Sequence, residues 1–166
     1  MTNIASTPTL TIAGLPTALG TFEATFSDIG IRQLRFPSQA SVKAHSTDTR
    51  ARLLAEELDA YLRGDLTMFS VPVDLRGTPF QLSVWDALRR IPYGEVRSYA
   101  DVAVSIGRPS AIRAVGAANG ANPVPVIVPC HRVIGSSGKM VGFGAGVEWK
   151  MRLLRTEKPD GWLAIL

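Results

Sequence analysis

Cys130 is the only cysteine in a chain of 166 residues, and His131 and Arg132 follow it directly. It lies in the run Asn122-Pro123-Val124-Pro125-Val126-Ile127-Val128-Pro129-Cys130-His131-Arg132-Val133-Ile134-Gly135, where three prolines stiffen the approach to it. A lone thiol cannot close a disulfide within the chain. With His45 and His131 as the only histidines, it also lacks the four ligands of a structural zinc site. Two readings stay open: a small buried hydrophobe, which an apolar run favours, or a nucleophile. A neighbouring imidazole and guanidinium favour the thiolate and would pull the thiol below its usual pKa of about 8.5. Adjacent residues of an extended chain face opposite ways, so a proton can pass between Cys130 and His131 through a bridging water. The imidazole then needs a carboxylate to fix its tautomer and stabilise its charged form. Glu148 and Glu157 are the downstream candidates, and spacing alone does not choose between them.

The elements that must hold these residues follow from pattern. Thr17–Phe26, Ile29–Phe36 and Phe69–Leu75 alternate as strands, with Pro72 confining the last to an edge or an early end. Between them Asp48–Leu62 carries Leu53, Leu54, Leu58, Tyr61 and Leu62 at helical spacing, with Gly64 placed for a left-handed cap. Thr78, Pro79 and Gln81 form the start signal of the next helix, a capping box with proline at the first position, and Phe80, Val84 and Leu88 line one face of it. Ser98 can cap a short helix through Ser105, stopped by Gly107 and Pro109, and Ser110 can cap another over residues 111–118. Two short helices about a glycine-containing turn read as a helix-turn-helix. The expected fold class is α+β: a small N-terminal antiparallel sheet with a helix over residues 1–76, then a mainly helical C-terminal domain over 77–166.

Composition sets outer bounds. A 46% hydrophobic chain of this length forms one or two small domains with a substantial core, and a net charge of +4 suits an anionic partner without naming one. Met1–Leu15 has no basic n-region or long apolar stretch, so neither a signal peptide nor a membrane span is expected, and an unpaired cysteine fits a reduced, cytoplasmic location.

The segments Gly77-Thr78-Pro79-Phe80-Gln81, Val84-Trp85-Asp86-Ala87-Leu88, Ile91-Pro92-Tyr93-Gly94-Glu95, Ser98-Tyr99, Arg113-Ala114-Val115-Gly116, Asn122-Pro123 and Pro129-Cys130-His131-Arg132-Val133 together resemble the O6-alkylguanine-DNA alkyltransferases. The likeness runs in order and without gaps from about Gly77 to Glu157; before Gly77 only the pattern of strands and helix is similar. The resemblance implies Cys130 as alkyl acceptor, His131 as water-mediated base and Glu157 as the carboxylate behind it, with Glu148 the weaker candidate. It implies that Tyr99 turns the 3′ phosphate and donates a proton toward guanine N3, and that Arg113 fills the gap left by an extruded base. Ala114 and Gly116 would let their helix approach the minor groove, and Asn122 would tie the turn before the active-site segment. Pro125, Phe143 and Gly144 would wall the substrate pocket, the carbonyls of Cys130 and Val133 would read the guanine amino group, and Ser136 would lie near DNA or the lesion.

Two residues depart from the common pattern of the family: Phe143 stands where many members have Tyr, and Ala145 where many have Gly. The implied partner is double-stranded DNA carrying O6-alkylguanine, with O4-alkylthymine as a second candidate lesion, bound by a monomer with cooperative loading left open. No cofactor and no metal are implied, and a thioether with no means of cleavage implies one transfer per molecule. Two other readings use the same residues. A cysteine hydrolase would employ Cys130, His131 and Glu157 but leaves the paired helices unexplained, and a DNA-binding regulator or lesion sensor would not need the acceptor cysteine.

Overall fold

The computed structural model describes residues 9–41 and 47–161. The chain begins with three antiparallel strands, β1 (Thr11–Thr17), β2 (Gly20–Phe26) and β3 (Ile31–Arg35), in the spatial order β1-β2-β3. Leu15 stands opposite Phe22 and Ala13 opposite Ala24, which in turn faces Leu34, so one face of the sheet carries these buried side chains together. The helix α1 (Thr49–Leu62) packs against β1. Asp48 caps it by accepting from the Arg50 N–H at 2.8 Å, and Ala51, Leu54, Ala55, Leu58 and Tyr61 form its buried stripe. Gly64, at φ 82°, closes the helix, and the N–H groups of Gly64 and Asp65 bond back to the carbonyls of Tyr61 and Ala60.

The rest is mainly helical: α2 (Pro79–Arg89), α3 (Tyr99–Ser105), α4 (Ile112–Gly120) and α5 (Val147–Glu157). The expected capping box at Thr78 and Gln81 is present, with Pro79 at the first helical turn. A second box, Ser98 with Asp101, starts α3. Trp85 of α2 is buried and its indole N–H donates to the Ala118 carbonyl of α4 at 2.8 Å. Two short strands, β4 (Arg97–Ser98) and β5 (Val133–Ile134), pair in parallel and tie the start of α3 to the chain just after Cys130. One hydrophobic cluster includes Phe22, Tyr61, Trp85, Val115 and Leu153, so the core is continuous from the sheet to the helices.

The α+β architecture expected from the sequence is the one observed, and three of its details differ. The alternation over Thr17–Phe26 breaks at a turn through Ala18 and Leu19; the strand there is β2, and its partner β1 went unrecognised. Phe69–Leu75 is not a strand but makes one parallel bridge, Val73 to Ile31, in which the Ile31 N–H donates to the Pro72 carbonyl at 2.8 Å. That approach needs Gly30, because a Cβ there would lie 2.2 Å from the Pro72 oxygen. Ser110 does not cap α4: Ala111 holds that position, with no side-chain hydrogen bond. Among the described residues no helix is long and apolar enough to cross a membrane. His45 and the first eight residues of the Met1–Leu15 segment lie outside the described residues.

Candidate active site

Cys130 begins a single 3-10 turn, Cys130–Arg132, delivered by a constrained run of backbone. The Asn122 side chain accepts from the Val124 N–H at 3.0 Å and donates to the Val128 carbonyl at 2.8 Å, closing the loop upon itself. Inside that loop Val126 is buried at φ 74°, a left-handed conformation that costs a β-branched residue about 1–3 kcal/mol. The Val128 N–H to Val124 carbonyl and Cys130 N–H to Val128 carbonyl bonds, at 2.9 and 2.8 Å, help hold it there. The thiol therefore sits on backbone fixed from both sides.

Behind Cys130 is a buried polar cluster. His131 Nε2 is 2.7 Å from Glu157 Oε1, and both side chains are fully enclosed. Arg132 places Nε 2.9 Å from Oε2 and Nη2 2.9 Å from Oε1 of the same carboxylate, and its Nη1 donates to the Ile91 carbonyl at 2.6 Å. The Gly94 N–H donates to Oε2 at 2.9 Å. Burial raises the pKa of Glu157, but the hydrogen bonds from His131, Arg132 and Tyr61 outweigh it and bring the carboxyl down to about 2. An ionised carboxylate only accepts, so Nε2 of His131 carries the proton and Nδ1 keeps the lone pair; Nδ1 is buried with no protein partner. Glu148, the other carboxylate considered, is exposed in the first turn of α5.

The titration state at rest differs from the sequence-based expectation. A thiol below 8.5 was expected from the positive neighbours, yet burial pushes Cys130 up to about 11, against the smaller lowering effects of Asn122, Lys150 and nearby amides. Burial likewise lowers the pKa of His131, opposed by Glu157, and the Arg132 charge is spent on Glu157. The resting pair is a thiol beside a neutral imidazole. Among the described residues the one further buried cation is Lys150, whose Nζ donates to the carbonyls of Val133 and Val141 at 2.7 and 3.0 Å. It ties the segment after Cys130 to the entrance of the glycine-rich loop, residues 142–146.

A cleft of about 370 Å³ has Cys130 in its lining. Asn122, Pro125, Phe143, Gly144 and Ala145 line it, together with Arg35, Phe36 and Gln39 from the N-terminal part. Gln39 Nε2 donates to the Gly144 carbonyl at 3.1 Å, and the Phe36 ring lies 5.7 Å from that of Phe143. A hollow of about 470 Å³ between β1 and α1 contains neither cysteine nor histidine.

The cleft gathers Cys130, Asn122, Pro125, Phe143 and Gly144; the other expected site residues lie outside its walls. Val133 is buried, its carbonyl already accepting from Lys150. Tyr99 is half-buried at the head of α3, and burial first, then the nearby ionisable Cys130, raises its pKa, so the phenol stays neutral. Gly116 of α4 packs against the Tyr99 ring, with room for a Cβ at 3.9 Å. Arg113 and Ala114 are exposed on α4, and among the described residues Arg113 has no ion pair. Ser136 is exposed on the turn closed by the Gly138 N–H to Gly135 carbonyl bond. Sequence reasoning missed Tyr61, whose hydroxyl donates to Glu157 Oε1 at 2.5 Å, and Arg35, Phe36 and Gln39. Neither group carries a local motif that would have announced it.

Comparison with known proteins places this arrangement. Residues 79–159 match the family described as 6-O-methylguanine DNA methyltransferase, DNA binding domain. The methylated-DNA–protein-cysteine methyltransferase of Mycobacterium tuberculosis H37Rv is 59% identical over 103 residues, which is 62% of this chain and 62% of that protein. The aligned stretch thus spans somewhat less than two thirds of that mycobacterial relative. The inducible methylated-DNA–protein-cysteine methyltransferase of Bacillus subtilis is 50% identical over 124 residues, 75% of this chain and 68% of that protein. A crystal structure of Mycobacterium tuberculosis OGT in complex with DNA superposes with a TM-score of 0.80 at 45% identity, covering 89% of this chain and 92% of that one.

Proposed function

The chain belongs to the 6-O-methylguanine DNA methyltransferase family, and from that premise we propose that it repairs DNA by moving the alkyl group of an O6-alkylguanine onto its own Cys130. The observation that carries this reading is a cleft lined in part by a cysteine whose neighbouring imidazole is backed by a buried, ionised carboxylate. The alkyl carbon on O6 is an electrophile. Sγ forms a bond to that carbon, the carbon–O6 bond breaks, and its electron pair leaves with the guanine. The thiol proton passes, directly or through water, to Nδ1 of His131, and Glu157 stabilises the imidazolium that results. The departing base takes up a proton, for which the neutral Tyr99 phenol is the donor on the base side. Because the thiol starts with a pKa near 11, proton removal must accompany attack, and it is the relay that makes the thiol a nucleophile.

A base inside the duplex cannot reach a buried sulfur, so the nucleotide is rotated out at a cost of a few kcal/mol. The α3–α4 pair serves as the DNA-reading unit, a helix-turn-helix laid in the minor groove. The exposed Arg113 takes the place of the extruded base, while Ala114 and Gly116 allow close approach and Ser136 flanks the lesion. Entry by the minor groove suits a protein that must find damage in any sequence, since that groove carries little base-specific information. Asn122 keeps Cys130 in register, and Pro125, Phe143 and Gly144 bound the alkyl group. The division at residues 76 and 77 is part of the same proposal, as are action as a monomer and a cytoplasmic location.

Intact-mass measurement after incubation with duplex DNA containing O6-methylguanine tests the reading. One added methyl on the peptide containing Cys130, and no more than one transfer per molecule, is expected. Sustained turnover, or methyl-free protein after the lesion has gone, sinks it; turnover on esters or amides would point to a cysteine hydrolase instead.

A further inference from the structure

Tyr61 lies on α1, 96 residues before Glu157 in sequence, yet its hydroxyl donates to Glu157 Oε1 at 2.5 Å and sits 3.2 Å from His131 Nε2. The side chain is fully buried, its ring set 5.3 Å from that of Phe69 and edge-on to Tyr93 at 6.0 Å. Packing alone would be served by phenylalanine, because an enclosed hydroxyl is costly unless it is bonded. Burial, then the charge of Glu157, holds the phenol well above its ordinary pKa, so it donates to the carboxylate and never takes the proton's place.

The Glu157 carboxylate is contested. Arg132 presents a guanidinium fork to both oxygens, and that pairing would be complete without His131. Both pairings are made at once: Oε2 and Oε1 stand 2.9 Å from Nε and Nη2 of Arg132 while Oε1 is 2.7 Å from Nε2 of His131, so Oε1 is the shared atom. The Tyr61 hydroxyl holds Oε1 from the other side, in the position where His131 can also reach it.

We propose that Tyr61 is a positioning residue of the proton relay: its hydroxyl fixes Glu157 Oε1, the oxygen shared with the Arg132 fork, where His131 Nε2 meets it, and so makes the N-terminal helix part of the transfer machinery. This rests on the transfer chemistry above. The proton balance is unchanged, with the thiol proton going to His131 Nδ1, Nε2 keeping its own proton toward Glu157, and Tyr61 retaining its proton throughout.

The test uses the full chain carrying Tyr61→Phe, which removes only the hydroxyl, beside Phe69→Leu, which loosens the packing around the same ring. Two rates are measured: single-turnover methyl transfer from duplex DNA, and alkylation of Cys130 by iodoacetamide across pH. Tyr61→Phe should slow transfer about tenfold and move the iodoacetamide profile to higher pH by about one unit, because an imidazolium with a poorly held carboxylate is harder to form. DNA affinity should stay within about twofold. Phe69→Leu should lower Tm and leave the profile in place. A Tyr61→Phe profile superposable on wild type, or one displaced equally in Phe69→Leu, overturns the assignment and leaves Tyr61 a packing residue. Should the wild-type protein fail to take up methyl while the Tyr61→Phe profile still shifts, the repair reading falls and the positioning role stands.

Discussion

Glu157 holds its charge in a place where an unpartnered carboxylate would be neutral, and the donors that permit this come from Tyr61, Gly94, His131 and Arg132. Its folded pKa of about 2 is depressed from an ordinary 4.5, so the stability it contributes is present above pH 4.5 and is lost as pH falls toward 2. His131 acts earlier and with the same sign. Burial lowers its folded pKa below 6.5, the unfolded chain binds the proton more readily, and stability starts to fall as pH drops through 6.5. Unfolding free energy measured by urea titration should therefore decline in two stages, and His131→Gln should remove the upper one and diminish the lower, since His131 helps to hold Glu157 down. A flat profile between pH 7 and 5 in the wild-type protein would show that His131 is not held neutral. At this scale Cys130 and His131 were legible because the chemistry is in adjacent residues. The carboxylate was not, since spacing left Glu148 and Glu157 equal and only the family resemblance separated them. Tyr61 and the Arg132 fork escaped notice because their meaning is a contact across the fold, and no period or spacing records it.

Elements with a local stop or start signal were readable. The capping box at Thr78, the cap at Ser98 and the glycine end of α1 each state a boundary within a few residues, and each is present, whereas Ser110 does not cap α4. Phe69–Leu75 misled because alternation shows that residues face two ways, while only partner strands show that a sheet exists; Pro72 and a single bridge to Ile31 are all that form. α4 packs by one face only. Val115, Ala118 and Asn119 anchor it, leaving Ile112, Arg113 and Ala114 outward. Arg113→Ala should accordingly cost less than about 0.5 kcal/mol of stability but reduce repair of duplex DNA much more than reaction with free O6-benzylguanine, which needs no extrusion. Single-turnover rates on both substrates decide it: equal losses would assign Arg113 to the structure of the site rather than to the DNA.

Across the whole molecule, a core continuous from sheet to helices and a cleft walled by both parts make the N-terminal half more than a support. The sequence reading found no chemistry there, since Arg35, Phe36 and Gln39 acquire their roles only by facing the loop at Phe143 and Gly144. Net charge of +4 and the exposed basic residue of α4 predict a duplex affinity that falls linearly in log–log form as salt rises, through counterion release. An affinity indifferent to salt between 50 and 200 mM, by fluorescence anisotropy, would contradict a phosphate-dominated interface. Under the proposed chemistry, the burial that raises the Cys130 pKa has a second consequence. On the proposed single transfer per molecule, a protein is wasted by any peroxide or stray electrophile that reaches its sulfur first, and such agents attack thiolate. With the thiol near 11, only on the order of one molecule in ten thousand is thiolate at pH 7. The burial that makes the nucleophile sluggish is then what lets it lie in store, unspent, until a base arrives that fills the cleft.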